Sequence, residues 1–221
     1  MRELHGRTVR DTPDEIFSPR RTAVLAIDMQ NDFCDPDGAF PSAMAADVSM
    51  ARRIVPGLAD FLSAARAAGV LVAHTQHIAS AGFRSDSAVR IRRELGLADG
   101  GRGWPAGFQY TVAGTWGAEF IPELTPNARD LVVPKYRTSA FVGTSLDLLL
   151  RANEIETVIV TGCVTNGCVL ATTVHAGALD YSVHVIPDYV AAWDRGLHEA
   201  ALSLMPTAER RAVDAAWNVD G

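Results

Sequence analysis

Cysteine is scarce in this chain: Cys34, Cys163 and Cys168 are the three in 221 residues. A disulfide scaffold needs more, so free thiols in a reducing, cytoplasmic setting are expected. Long apolar runs are missing too. No stretch approaches the roughly 20 residues that span a bilayer, and Met1-Arg2-Glu3-Leu4-His5-Gly6-Arg7 lacks the apolar core of a signal peptide. No membrane partner is expected. Positive charge is in deficit, with 20 Lys and Arg against 26 Asp and Glu, a net charge of −6. With no basic stripe, this argues against a nucleic-acid partner. What the chain has is a 48% hydrophobic composition, enough for a full core and too apolar for a disordered segment.

The apolar residues fall into alternating strand-like and helix-like stretches. Ala23-Val24-Leu25-Ala26-Ile27 is a continuous apolar run, as in a strand buried on both faces. Ile54, Val55, Leu58, Phe61, Leu62 and Ala65 recur at helical spacing until Gly69. Further strands are expected at residues 70–73, 131–133, 157–161 and 181–186. Helices are expected around Leu146 to Leu150, from Cys168 to Leu179, and twice near the C-terminus. This alternation implies a three-layer α/β/α sandwich around a mainly parallel sheet. Residues 1–21 read as an N-terminal extension and 22–221 as one domain. The stretch 96–117 differs, with seven glycines among Trp104, Phe108, Tyr110 and Trp116. A loop of that length is expected to be a lid, a pocket wall or a subunit contact.

Open parallel sheets bind ligands beyond the carboxyl ends of their strands. The first apolar run ends at Asp28, the 131–133 run passes through Pro134 to Lys135, and the 157–161 run leads into the turn before Cys168. A carboxylate, an ammonium and a thiol should therefore meet at one sheet edge. Cys168 would open a helix, whose positive end favours thiolate, and Lys135 would add to that preference. Asp28 could carry the proton. Each residue alone has a plainer reading: a small core thiol, a turn residue, a solvated charge. Their placement at three strand ends favours a site.

The same residues carry a resemblance. Ala26-Ile27-Asp28-Met29-Gln30-Asn31-Asp32-Phe33, Pro134-Lys135-Tyr136-Arg137-Thr138-Ser139-Ala140-Phe141 and Val160-Thr161-Gly162-Cys163-Val164-Thr165-Asn166-Gly167-Cys168-Val169 resemble the three signature blocks of the isochorismatase-like cysteine hydrolases. That superfamily includes nicotinamidases, N-carbamoylsarcosine amidase, ureidoacrylate and biuret hydrolases, and maleamate amidases. Gly114-Thr115-Trp116-Gly117 with Phe120-Ile121-Pro122-Glu123-Leu124 also resembles the family, and the likeness runs from about Thr22 to Asp194.

The resemblance implies an isochorismatase-like (Rossmann-like) fold and a catalytic triad of Asp28, Lys135 and Cys168. It implies a cis peptide between Cys163 and Val164, an oxyanion hole from the backbone N–H groups of Val164 and Cys168, and a structural role for Cys163. It implies hydrolysis of a small linear amide or carbamoyl compound through a thioester, with no cofactor, in a homodimer or homotetramer. Phe33, Tyr136 and Asn166, beside the signature residues, and His74, at a strand end, are expected to line the pocket. Arg84 and Arg137 are candidate carboxylate receivers, although each also reads as a surface charge.

Nicotinamidases carry an Asp-x-His-x-x-His metal cluster. Here His74-Thr75-Gln76-His77 has no aspartate two residues before His74, so no metal is expected. Other readings are vinyl ether hydrolysis, which needs no cysteine, and two classes outside hydrolysis. A flavodoxin-like nucleotide module could use Gly162 to Gly167, but the Lys-Ser/Thr of a phosphate loop is missing. A thiol redox sensor could use Cys163 and Cys168, but their spacing is not Cys-x-x-Cys.

Overall fold

The computed structural model describes residues 1–97 and 103–217. Five strands form the central sheet: β3 (Thr22–Ile27), β4 (Leu71–His77), β5 (Leu131–Lys135), β6 (Thr157–Cys163) and β7 (Ser182–Ala191). They are parallel, in the order β5-β4-β3-β6-β7. β1 (Arg2–Leu4) and β2 (Arg7–Val9) make a separate antiparallel hairpin. The helices are α1 (Pro13–Ile16), α2 (Asn31–Cys34), α3 (Ala39–Met44), α4 (Ser49–Ala67), α5 (Ala88–Glu94), α6 (Leu146–Ala152), α7 (Leu170–Ala178), α8 (Arg195–Leu202) and α9 (Arg210–Ala216).

β3 is the middle strand and all six of its residues are buried. Its side chains alternate between two cores. Val24 and Ala26 face α4 and α9, against Leu58, Phe61, Val213 and Trp217. Ala23, Leu25 and Ile27 face α6, α7 and α8, against Leu146, Leu150, Ala176 and Ala201. A strand buried on both faces has no polar side to show, hence the unbroken apolar run. Gly162, in β6 opposite Ile27, has φ +98°, and a Cβ there would collide with the Ile27 backbone. Glycine at this point lets two strands close up next to the site.

The strands run further than the apolar runs suggested. β4 continues through His74-Thr75-Gln76-His77, and β7 reaches Ala191. The N-terminal segment is fastened to the domain. Phe17 lies in the core, the Trp217 indole N–H donates to its carbonyl at 2.9 Å, and Thr157 Oγ1 donates to Ile16 O at 2.6 Å. Among the described residues no helix is long and apolar enough to cross a membrane.

Candidate active site

Asp28, Lys135 and Cys168 come together beyond the carboxyl end of the sheet. Asp28 follows β3 with φ +49°, a left-handed conformation uncommon outside glycine. Its N–H donates to the Thr75 carbonyl at 3.2 Å and hydroxyl at 3.1 Å, and the Thr75 hydroxyl donates to Asp28 Oδ1 at 2.6 Å. One threonine of β4 thus fixes both the backbone and the carboxylate. Lys135 ends β5, two strands from β3, and its long side chain crosses the end of β4. Nζ lies 2.7 Å from Asp28 Oδ2 and donates to Cys168 Sγ at 3.3 Å, Arg137 O at 3.0 Å and Thr138 O at 3.2 Å. Asp28 and Lys135 are both fully buried.

A buried ammonium must find anions and acceptors or lose its proton. Burial works against the Lys135 charge, but Asp28 and the Cys168 sulfur outweigh it and hold the pKa above its ordinary value.

Cys168 is half-buried in a π-helical turn, Thr165–Val169, that leads into α7. The helical backbone starts three residues earlier than expected, so the thiol sits inside the first turn and not at its tip. Burial pushes the Cys168 thiol up to about 12. Lys135 pulls it down, and the neighbouring Asp28 carboxylate adds to the rise. The expectation of a resting thiolate gives way here. Desolvation outweighs the single ammonium, whose charge is already answered by Asp28.

The peptide joining Cys163 to Val164 is cis. Cys163 is buried, its sulfur 3.5 Å from Cys34 Sγ and 3.4 Å from the Asp28 carbonyl. The hydrogen bond with Cys34 and burial hold its thiol well above the ordinary value. Its nearest thiol is therefore a core cysteine, and it serves as packing under the site.

A cavity of about 50 Å3 opens in front of Cys168. Its walls include Val164, Thr138 and an aromatic group of Phe33, Phe40, Tyr110 and Trp193. Phe40 is central to the group, with ring centroids 4.2 Å from Trp193 and 4.7 Å from Tyr110. The described part of the 96–117 loop supplies Trp104 and Tyr110, so this stretch forms a pocket wall. Residues 98–102, with two of its glycines, lie outside the described residues. Gln30 secures the neighbouring rim: its amide donates to His77 O at 2.9 Å and Ala118 O at 2.7 Å, and accepts from His77 N at 2.7 Å. A wider groove of about 590 Å3, beside Arg66 and Asp130, holds none of the three site residues.

Of the expected pocket residues, Phe33 is in place and three others are not. His74 lies within β4, three residues before its end, and pairs in register with Ala26 on the α4 side. Its Nε2 lies 3.1 Å from Asp130 Oδ2, which Arg66 of α4 also holds. His77, at the true strand end, is the histidine on the cavity. Tyr136 is exposed in the bend that follows β5. Asn166 is exposed on the outer side of the π turn, whose buried residues are Thr165 and Val169.

Arg84 is also exposed, and Arg137 donates to the neighbouring Tyr136 carbonyl at 2.7 Å. The arginines on the cavity are Arg90 and Arg93 of α5. That short helix has no apolar stripe to mark it in the sequence, since none of its residues is buried and Arg90, Arg92 and Arg93 fall among Val89 and Ile91. Ser87 before it was the available signal, a cap that accepts from Arg90 N. His74 and His77 have different partners, and three residues apart on a strand they face opposite sides. Among the described residues no three His, Cys, Asp or Glu side chains gather where they could share a metal ion.

A parallel α/β sheet with a carboxylate, an ammonium and a thiol in contact at its carboxyl edge defines a narrow class of proteins. Residues 22–216 match the model of the isochorismatase domain family. An isochorismatase family protein from Desulfovibrio vulgaris is 34% identical, with a TM-score of 0.73 over 90% of this chain and 99% of that one. A cysteine hydrolase from Pseudomonas syringae is 27% identical, with a TM-score of 0.74 over 90% and 95%. The N-carbamoylsarcosine amidase of Thermoplasma acidophilum is 25% identical, with a TM-score of 0.65 over 87% and 96%. The chain belongs to the isochorismatase family of hydrolases.

Proposed function

We propose that the chain is a cysteine amidohydrolase that cleaves a C–N bond of a small linear amide or carbamoyl compound. The observation that carries this reading is the contact line from Asp28 through Lys135 to Cys168, at 2.7 and 3.3 Å. In the resting site the proton sits on the Cys168 thiol, and Asp28 is the base beside it. Asp28 takes that proton as the sulfur attacks the substrate carbonyl carbon. The new C–S bond forms a tetrahedral oxyanion, which the backbone N–H groups of Val164 and Cys168 are proposed to receive. Asp28 then protonates the nitrogen, the C–N bond breaks, and ammonia or an amine leaves a thioester.

Water attacks the thioester with Asp28 again as base, and the acid product leaves while the thiol regains its proton. Lys135 holds Asp28 in place and offsets the negative charge on the sulfur during attack. None of these steps needs a redox group. The cavity, about 50 Å3, suits a compact substrate.

The test is ammonia release from nicotinamide, biuret, maleamate, ureidoacrylate and N-carbamoyl amino acids, with Cys168→Ala as the control. Turnover of at least one, abolished in the variant, is expected. Release that persists in Cys168→Ala would overturn the reading.

A further inference from the structure

His77 ends β4 on the cavity wall beside Cys168 and is only 3% exposed. Its backbone is pinned by Gln30 at both N–H and carbonyl. Its ring stacks on Tyr110 with centroids 5.0 Å apart and meets the edge of Phe33 at 6.1 Å. Nδ1 lies 2.7 Å from Thr111 Oγ1. Nε2, across the ring from it, has no hydrogen-bond partner among the described residues and is the nitrogen left to face the cavity.

The tautomer follows from the hydroxyl. Thr111 is fully buried, and His77 Nδ1 is the sole hydrogen-bond partner of its hydroxyl among the described residues. A buried hydroxyl proton without an acceptor costs more than an unused lone pair. Thr111 therefore donates to Nδ1, and a neutral imidazole that accepts at Nδ1 carries its proton on Nε2. The threonine cannot easily swing away. Its backbone N–H donates to Asp32 Oδ2 at 2.5 Å, and its φ is +47°. Burial and the cations Lys135, Arg90 and Arg137 keep the ring neutral, with its pKa well below the ordinary value.

We propose that His77 is a substrate-binding residue whose Nε2–H donates to a carboxylate on the non-reacting end of the amide, with Thr111 as its positioning residue. Arg90, Arg93 and Glu94 all line the same cavity, two cations to one carboxylate, and that balance supports a negative partner. Arg90 is already paired with Asp86 and Glu94, at 2.9 and 2.8 Å. Arg93 has no ion-pair partner among the described residues. An ammonium there would meet a fixed N–H and like charge. This inference rests on the reading of Cys168 as the nucleophile.

The test pairs each acid with its neutral amide: N-carbamoylglycine with N-carbamoylglycinamide, and succinamate with succinamide. The acid should be preferred by about tenfold or more in kcat/KM, mostly through KM, the scale of one hydrogen bond to a charged group. His77→Leu and Thr111→Val should bring the ratio towards one, and Thr111→Ser should restore it. A ratio unchanged in folded His77→Leu overturns the proposal.

A second measurement needs no turnover. In Cys168→Ala protein at pH 7, the His77 ring 15N shifts should report a proton on Nε2 alone, and Nε2 should respond to added N-carbamoylglycine. A proton on Nδ1, a charged ring, or no response overturns the proposal. If this result holds while no amide is cleaved by the wild type, the amidase reading fails and the binding assignment stands.

Discussion

Lys135 Nζ lies 2.7 Å from Asp28 Oδ2, and neither side chain is exposed to solvent. The pair joins the ends of two strands that are not neighbours, and the same ammonium reaches the sulfur of Cys168 at 3.3 Å. Such a pair has few stable substitutes, since removing one partner strands the other charge in the interior.

That consequence sets the first expectation. Asp28→Asn keeps the shape and removes the proton carrier from both half-reactions. Turnover should fall at least about a hundredfold, the lower range of general acid–base catalysis. Lys135→Met should also abolish most activity and, by leaving Asp28 unpaired, lower the melting temperature. Steady-state rates beside thermal unfolding separate the two effects. Near-normal turnover in folded Asp28→Asn would remove Asp28 from the chemistry.

The two buried-side cysteines should behave differently. Cys168→Ala should abolish turnover and leave the melting curve close to wild type. Cys163→Ala loses a core contact with Cys34 and should cost roughly 1–2 kcal/mol of stability while retaining most activity. Equal loss of activity in two well-folded variants would contradict this assignment of roles.

Alkylation reports the resting state of the nucleophile. With burial pushing the Cys168 thiol up to about 12, its reaction with iodoacetamide should keep rising from pH 7 to pH 10. Asp28→Asn removes the negative neighbour that adds to the rise, so its curve should move to lower pH. A wild-type plateau below pH 8 would show a resting thiolate instead.

His74 predicts an acid limit to stability. Burial holds its pKa at about 4 in the folded chain, against 6.5 for the free side chain, with Asp130 opposing the fall and Arg66 adding to it. The unfolded chain therefore takes up the proton first. Stability should decline as pH drops from 6.5 towards 4, by at most about 3 kcal/mol from this group, and should not depend on it above 6.5. Urea titrations across that range should show a shallower decline in His74→Gln. An identical slope would assign the acid limit to other residues.

Much of this was readable in the residue order. The β-branched runs marked all five central strands, because strands covered on both faces need continuous apolar side chains. The residues that close them, Asp28 and Lys135, marked the edge where the site lies. Polar residues buried by partners were harder to read. His74, Thr75 and His77 look like the end of a strand, yet each is covered because Asp130, Asp28 and Thr111 answer its polar atoms. Tyr136 and Asn166 show that adjacency to a site residue says little about a pocket, since the next side chain on a bend or turn points elsewhere. The thiol's resting charge depends on how deeply it is enclosed, which no spacing of residues reveals.

One part of the pocket wall comes from a different stretch of chain than the reacting groups. Asp28, Lys135 and Cys168 are anchored to the sheet, whereas Arg90, Arg93, Trp104 and Tyr110 arrive on the segment between β4 and β5. Part of the selection is thus written apart from the chemistry, while His77, Phe33, Phe40 and Trp193 stay with the sheet and its flanks. Exchanging that one segment between relatives should shift what is accepted while the bond-breaking apparatus stays as it was.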